Sequence, residues 1–233
     1  MEIDSVIGNT SLSINKIEFD SRLISDGDMY IAISGVNVDG HGFISEAIQN
    51  GANCIVCEKT PENKTDGVVY VNVKSSRKAL AIISSNYFDN PSSKLNLVGV
   101  TGTNGKTTIA TLLFDLYTAL EIKSGLISTV KISYDNKNFQ ANQTTPDSLS
   151  INRFLSEMVN SNVRYCFMEV SSHGIDQNRI EGLVFKGGIF TNLTHDHLDY
   201  HESFENYRDT KKRFFDSLSN NSFALTNNDD KNG

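Results

Sequence analysis

The sequence predicts an α/β protein: a small N-terminal α/β domain followed by a mostly parallel sheet with helices on both faces. Three observations carry this. From residue 94 onward, short apolar runs alternate with helical stripes. Asp89-Asn90-Pro91-Ser92-Ser93 is a turn-rich cluster that sets domains at 1–91 and 92–233. Residues 99–108, Gly-Val-Thr-Gly-Thr-Asn-Gly-Lys-Thr-Thr, place glycines where an apolar run turns into a helix.

In the first domain, apolar runs at Ile17–Phe19, Met29–Ile33, Cys54–Val56 and Val68–Val73 read as strands, with helical patterns at Gly42–Asn50 and Arg77–Phe88 between them. Cys54 and Cys57 form a C-x-x-C pair, but on a strand they point to opposite faces, so they read as inert thiols; Cys166 reads as core. In the second domain, strands are expected at 95–100, 124–128, 164–169, 186–191 and 222–226, and helices at 106–120, 147–160 and 203–218. Tyr134 to Phe139 reads as a hairpin turning at Asp135-Asn136. On the helix after the Gly-rich turn, Ile109, Leu112, Leu113, Leu116 and Leu120 are expected to form the buried stripe.

The chain has 233 residues, a formal net charge of −7 and no basic tract, which argues against a nucleic-acid partner. No apolar stretch is long enough to span a membrane, and the first residues lack the pattern of a signal peptide. Three cysteines suit a reducing compartment, so the expected location is cytoplasmic, without a membrane partner.

Gly102-x-x-Gly105-Lys106-Thr107-Thr108 has the chemistry of a triphosphate site. Glycines let backbone N–H groups close around an anion, and the helix start adds positive potential. Lys106 adds a full charge, and a threonine hydroxyl can bind Mg²⁺. Val100 stands where the common phosphate loop has its first glycine.

Three further features fall at the carboxyl ends of strands, where open α/β sheets bind ligands. Glu169 closes the apolar run before Val170-Ser171-Ser172-His173-Gly174, and its carboxylate suits an Mg²⁺ bridging phosphate oxygens. Three of the five histidines lie between His195 and His201. A zinc hydrolase could use His195 and His197, but Tyr200 separates Asp199 from His201, the wrong spacing for that chemistry. On helix 203–218, Lys211 falls among Phe204, Tyr207, Phe214, Phe215 and Leu218, while Lys212 and Arg213 point away. An inward lysine is costly unless neutral, paired or modified.

Together these motifs resemble the Mur ligase family, ATP-dependent ligases that build the peptide of bacterial cell-wall precursors, and most of all its MurE type. The matching segments are Asp20-Ser21-Arg22, Asp39-Gly40-His41, Gly102–Thr108, Thr144-Thr145-Pro146, Met168–Gly174, Gln177-x-Arg179, Asn192–His201 and Tyr207-x-x-x-Lys211, in the family's order. The resemblance implies roles. Gly102, Thr103, Asn104, Gly105, Lys106, Thr107 and Thr108 would bind ATP. Thr107, Glu169, His197 and a carbamylated Lys211 would bind Mg²⁺, with Lys106, Glu169, His197 and Lys211 as the catalytic set. Phe19, Ser21 and the Gly35–Val38 loop (Val36, Asn37, Val38) would grip the UDP end of UDP-N-acetylmuramoyl-dipeptide. Gln143, Thr144, Thr145, Ser171, Gln177 and Arg179 would hold its muramoyl-peptide. Gln143 is a departure, because this type usually has asparagine there.

The implied reaction phosphorylates the D-glutamate carboxylate, and an incoming amino group then attacks the acyl phosphate. The incoming amino acid is diaminopimelate or lysine. Family members are about twice as long and carry a third, amino-acid-binding domain. The chain is therefore expected to be a monomeric fragment with an incomplete central domain, inactive alone. A non-catalytic fragment that binds the UDP substrate, or another Mur-like ligase, are the alternatives.

Overall fold

In the computed structural model, which describes residues 2–35, 38–196 and 198–233, the chain forms two compact units, Met1–Ser84 and Ser85–Gly233. The division falls inside a helix that precedes the Asp89–Ser93 turn cluster.

The first unit has a five-stranded sheet of β1 (Ile3–Ile7), β2 (Ile17–Glu18), β3 (Met29–Ile31), β4 (Cys54–Cys57) and β5 (Val69–Val73), in the order β1-β5-β4-β3-β2. β2 to β5 run parallel and β1 is antiparallel at the edge. Sequence periodicity missed β1 because it lies open along its whole length, so no apolar alternation marks a buried face. Helices α1 (Ile44–Gln49) and α2 (Ser76–Tyr87) complete the unit. Ile44 and Ala47 of α1 pack on Tyr30, Ile55, Cys57 and Tyr70. Cys54, on the opposite face from Cys57, is also buried; burial pushes its thiol up to about 11, that of an unreactive thiol.

The second unit has a seven-stranded sheet in the order β12-β11-β6-β10-β7-β8-β9. Its strands are β6 (Asn96–Thr101), β7 (Ser124–Ile127), β8 (Lys131–Tyr134), β9 (Lys137–Gln140), β10 (Tyr165–Glu169), β11 (Gly187–Phe190) and β12 (Phe223–Thr226). β12, β11, β6, β10 and β7 run parallel, and β8 pairs antiparallel with both β7 and β9. Asp135 and Asn136 both take left-handed φ, 47° and 61°, as a tight two-residue hairpin turn requires. The chain runs from β6 outward to β9, returns to β10, then crosses to β11 and β12, so the connections switch direction beside β6. Its helices are α3 (Lys106–Ala119), α4 (Ser148–Asn160), α5 (Ser172–Asp176), α6 (Leu198–His201) and α7 (Phe204–Asp216). The short α5 and α6 fall in segments to which the sequence pattern assigns no element.

Alternation along β6 feeds two cores. Leu97 joins Ile151, Leu155, Met158, Cys166 and Phe214 on one face; Val98 and Val100 join Leu126, Phe167 and α3 on the other. Gly99 leaves room for α7: a Cβ there would lie 2.5 Å from the Phe214 ring. On α3 the expected stripe is corrected. Ile109, Ala110, Leu113, Phe114 and Tyr117 meet the sheet, whereas Leu112, Leu116 and Leu120 are 58%, 52% and 59% exposed. The aromatic row decides the roll of the helix, because Tyr117 sits 4.7 Å from Tyr165 and 5.0 Å from Phe167, centroid to centroid. Among the described residues no helix is long and apolar enough to cross a membrane.

This packing makes a stability prediction. Leu116→Ser should change the unfolding free energy by less than about 0.5 kcal/mol, whereas Phe167→Ala should cost about 3–5 kcal/mol. Urea denaturation compares them, and equal losses would restore the register read from the sequence.

Candidate functional site

The Gly102–Thr108 loop, the expected phosphate site, spans the end of β6 and the start of α3. Gly102 has φ +147°, and a Cβ on it would meet Thr191 Oγ1 at 2.0 Å, so only glycine fits. The loop is docked on residues 191–194. Thr103 N donates to Asn192 O (2.8 Å), Asn104 N to Asn192 Oδ1 (3.0 Å), and Thr191 Oγ1 to Asn104 O (2.6 Å). Thr194 N donates to Thr103 Oγ1 at 2.9 Å, and the Thr103 and Tyr207 hydroxyls lie 3.1 Å apart. Gly105 caps α3 in the left-handed conformation. The first N–H groups of α3 lack intrahelical acceptors, as in any helix. Thr107 is half-buried at this end and Thr108 is exposed.

Two lysines converge on the loop. Lys106 Nζ donates to Gly102 O (2.9 Å) and Thr103 O (2.8 Å). Lys211, 3% exposed, donates to the same Gly102 O at 2.9 Å and lies 4.7 Å above the Tyr207 ring. Burial lowers the Lys106 pKa, against the pull of the Glu169 and Asp196 carboxylates. Burial, and then the charge of Lys106, push the Lys211 amine down to about 7, with Asp196 acting in the other direction. The helical register expected for Lys211 holds, and Lys212 turns outward to pair with Asp216 at 2.6 Å.

Glu169 ends β10 with 0% exposure. Its Oε1 accepts from Thr129 N at 2.8 Å and its Oε2 from Thr129 Oγ1 at 3.3 Å. The sequence reading missed Thr129. Its position just past β7, at the same sheet edge, was the available signal. Thr129 Oγ1 also reaches Thr144 Oγ1 at 3.0 Å. Thr145 Oγ1 donates to Glu169 O (2.8 Å) and accepts from Ser171 N (2.9 Å), joining β10 to α5, which Ser171 Oγ caps. Arg179 donates to Gln143 Oε1 and Thr145 O, both at 2.6 Å, and to Gln177 Oε1 at 2.7 Å. Gln143, Thr144, Thr145, Ser171, Gln177 and Arg179 therefore form one cluster. A cavity of about 260 Å³ joins that cluster to the two lysines, with Ser172 and His173 also in its wall.

Of the histidine-rich segment, His201 is buried beside His173 and Tyr207, and His195 lies exposed against Phe204. His197 lies outside the described residues, as do Val36 and Asn37. Among the described residues no group of three or more His, Cys, Asp or Glu side chains could hold a metal. In the first unit, Ser21 is buried and donates to Glu46 Oε2 at 2.7 Å, with Phe19 half-buried nearby in the chain. Val38 is exposed, and its carbonyl accepts from Gly35 N at 2.9 Å.

Two family models match the chain: the Mur ligase middle domain over residues 100–233, and the Mur ligase family catalytic domain over residues 13–88. The UDP-N-acetylmuramoyl-L-alanyl-D-glutamate--2,6-diaminopimelate ligase of Cytophaga hutchinsonii is 54% identical over 230 residues, covering 98% of this chain and 47% of that protein. The ligase of the same name from Bacteroides thetaiotaomicron is 50% identical over 228 residues, with the same coverage of 98% and 47%. The chain thus spans about half the length of the curated relatives it matches. A solved structure bearing that ligase name superposes with a TM-score of 0.77 at 25% identity, covering 94% of this chain and 44% of that one. MurF from Thermotoga maritima, solved with ADP, shares the fold at a TM-score of 0.61 and 23% identity, over 91% of this chain and 45% of that one.

The buried Lys211 predicts a pH dependence. Its pKa is lowered in the folded state, so between about 7 and the usual 10.5 the unfolded chain holds the extra proton. Stability should rise with pH across that window, and the cost of the buried ammonium is present in full below it. In carbonate-free buffer, Lys211→Met should therefore be more stable than wild type below pH about 7 and lose that advantage towards pH about 10. Urea unfolding at several pH values checks this; a constant difference would contradict it.

Proposed function

The chain belongs to the Mur ligase family, and on that premise we propose that it carries the UDP-substrate and ATP sites of an ATP-dependent amide-forming ligase. This ligase adds the third amino acid to UDP-N-acetylmuramoyl-L-alanyl-D-glutamate. Residues 1–91 form the UDP-substrate domain and 92–233 the ATP-binding domain. The two relatives at 54% and 50% identity, both named as diaminopimelate ligases, favour diaminopimelate over lysine. One observation supports the reading above all: a single cavity joins the paired lysines of the phosphate loop to the Gln143–Arg179 cluster. A transferable phosphate and an acceptor carboxylate can meet there.

The residues divide the work. Lys106 and the amides at the start of α3 bind the phosphates and neutralise the charge that builds during transfer. Arg179 engages the side-chain oxygen of Gln143, a residue of the cavity wall whose amide N–H group can orient the peptide carboxylate. The phosphoryl group passes to the D-glutamate carboxylate. The amino group of the incoming residue then attacks the acyl carbon, and phosphate leaves as the amide forms. Positioning dominates, as expected where the protein forms no covalent bond to the substrate.

The donor set fits Mg²⁺. Glu169 offers a carboxylate fixed by Thr129, Thr107 offers a hydroxyl, and His197 is the ligand assigned by the family motif. When bound, the ion would draw charge from the phosphate oxygens. An ammonium cannot ligate a cation, but a Lys211 pKa of about 7 supplies neutral amine to capture carbon dioxide, and the carbamate has two oxygens. Consumption of ATP suits the cytoplasm, and a charge of −7 without a basic tract suits a monomer free of nucleic acid and membrane.

Two experiments test this reading. ATP with Mg²⁺ should bind the chain and shift the Gly102–Thr108 amides, and Lys106→Ala should weaken that binding about tenfold or more; unchanged affinity would reject the site. In the full-length enzyme, Lys211→Ala should be nearly inactive and partly rescued by a short carboxylic acid, whereas Lys212→Ala should be mild. The reverse pattern would remove Lys211 from the chemistry.

A further inference from the structure

The segment that docks the Gly102–Thr108 loop is itself held from its other side. β11 lies between β6 and β12, and the three strands run parallel, so the chain leaving each emerges at the same sheet edge. The loop follows β6, residues 191–193 follow β11, and a turn follows β12. Two side chains of that turn reach back to the middle segment. Asn227 Nδ2 donates to Thr191 O at 2.9 Å, and Asp230 Oδ2 accepts from Leu193 N at 2.9 Å. The turn fixes both side chains: Asn227 Oδ1 accepts from Asp229 N (3.1 Å), and Asp230 Oδ1 from Asn232 N (2.8 Å). The Leu193 amide, followed by that of Asn232, holds the Asp230 carboxyl below the usual carboxylate range, so it meets both amides as an anion.

Asn227 and Asp230 thus grip the backbone on either side of Asn192, and Asn192 is the residue that meets the loop. Its carbonyl accepts from Thr103 N (2.8 Å), its Oδ1 accepts from Asn104 N (3.0 Å), and its Nδ2 donates to Asn104 O (3.2 Å). These bonds set the peptide units between Gly102 and Gly105, on which the anion-binding shape of such a loop depends. Leu193 also packs its side chain with Phe190 and Tyr207, so the segment keeps its place without the grip but loses a fixed backbone geometry. Asn227 is exposed and Asp230 half-buried, and neither belongs to the cores around β6, so replacing them leaves those cores packed.

We propose that Asn227 and Asp230 are positioning residues that, by gripping Thr191 and Leu193, hold the Gly102–Thr108 loop in its triphosphate-binding form. This rests on the reading that the loop binds ATP. Both residues act through the backbone of residues 191–193.

Titrating ATP with Mg²⁺ into the chain tests the inference. Asp230→Ala and Asn227→Asp should each weaken ATP about tenfold, the scale of one lost charged or backbone hydrogen bond. Asn227→Asp is nearly identical in shape and keeps the bond from Asp229 N, but it cannot donate to Thr191 O; it decides the matter if Asp230→Ala does not fold. Asp230→Asn, which keeps an acceptor for Leu193 N, should stay within about threefold of wild type. Asn232→Ala, which removes only a side-chain contact on the other Asp230 oxygen, should bind like wild type. Without ligand, the Thr103 and Asn104 amide signals should shift and exchange faster with solvent in Asp230→Ala and Asn227→Asp. Unchanged ATP affinity in Asn227→Asp, equal losses in Asp230→Asn and Asp230→Ala, or a loss without movement of the Thr103 and Asn104 signals would overturn the inference and leave the ATP reading standing. A wild-type chain that does not bind ATP would overturn that reading and this inference with it.

Discussion

The carbonyl oxygen of Gly102 accepts hydrogen bonds from two lysines, one on the helix that follows it and one from a helix much later in the chain. Lys211 is buried and Lys106 half-buried, so any positive charge they carry there is costly and would be relieved by an anion. Much of the second unit serves to create this arrangement. Gly99 gives up a side chain so that Phe214 can close on β6, which brings the Lys211 turn of α7 to the loop. Tyr207, one turn earlier, fixes the same helix through the Thr103 hydroxyl and lays its ring beneath the ammonium. The 191–194 segment holds the loop from the other side. The lysine pair at the Gly102–Thr108 loop is thus a product of core packing.

The Gln143–Arg179 cluster follows a different rule. Its polar groups satisfy one another: Arg179 spans two glutamines and a backbone carbonyl, and Thr145 links the end of β10 to the cap of α5. Such a cluster is held in one arrangement before anything binds. Glu169 belongs to both parts, since Thr129 holds its carboxylate and also touches Thr144.

Much of this was legible in the sequence wherever a periodicity or a local motif carries the information. The strand–helix rhythm placed the second sheet, Asp135-Asn136 its hairpin, and the 100° helical step turned Lys211 inward. Two neighbouring leucine rows on α3 could not be told apart, because periodicity finds a stripe but not which stripe the aromatic residues pull onto the sheet. β1 was invisible for lack of a buried face. Thr129 and the Asp230–Leu193 link were invisible for another reason. Both depend on backbone N–H groups meeting side chains from distant segments, and a backbone amide carries no residue signature.

The order of strands in the second sheet also bears on how the chain comes to be folded. β6 carries the phosphate loop and is the first strand of its sheet to be made, yet its neighbours are β10 and β11: Asn96 pairs with Tyr165 and Val98 with Gly187. During synthesis its Leu97–Val100 stretch must stay unpaired until those later segments emerge, whereas the β8–β9 hairpin can close on its own contacts at once. The pocket beside the Gly102–Thr108 loop is therefore a late product of folding that needs both long-range pairings. A nucleotide that binds only the finished pocket would act as a thermodynamic ratchet, drawing newly made chains towards the completed sheet.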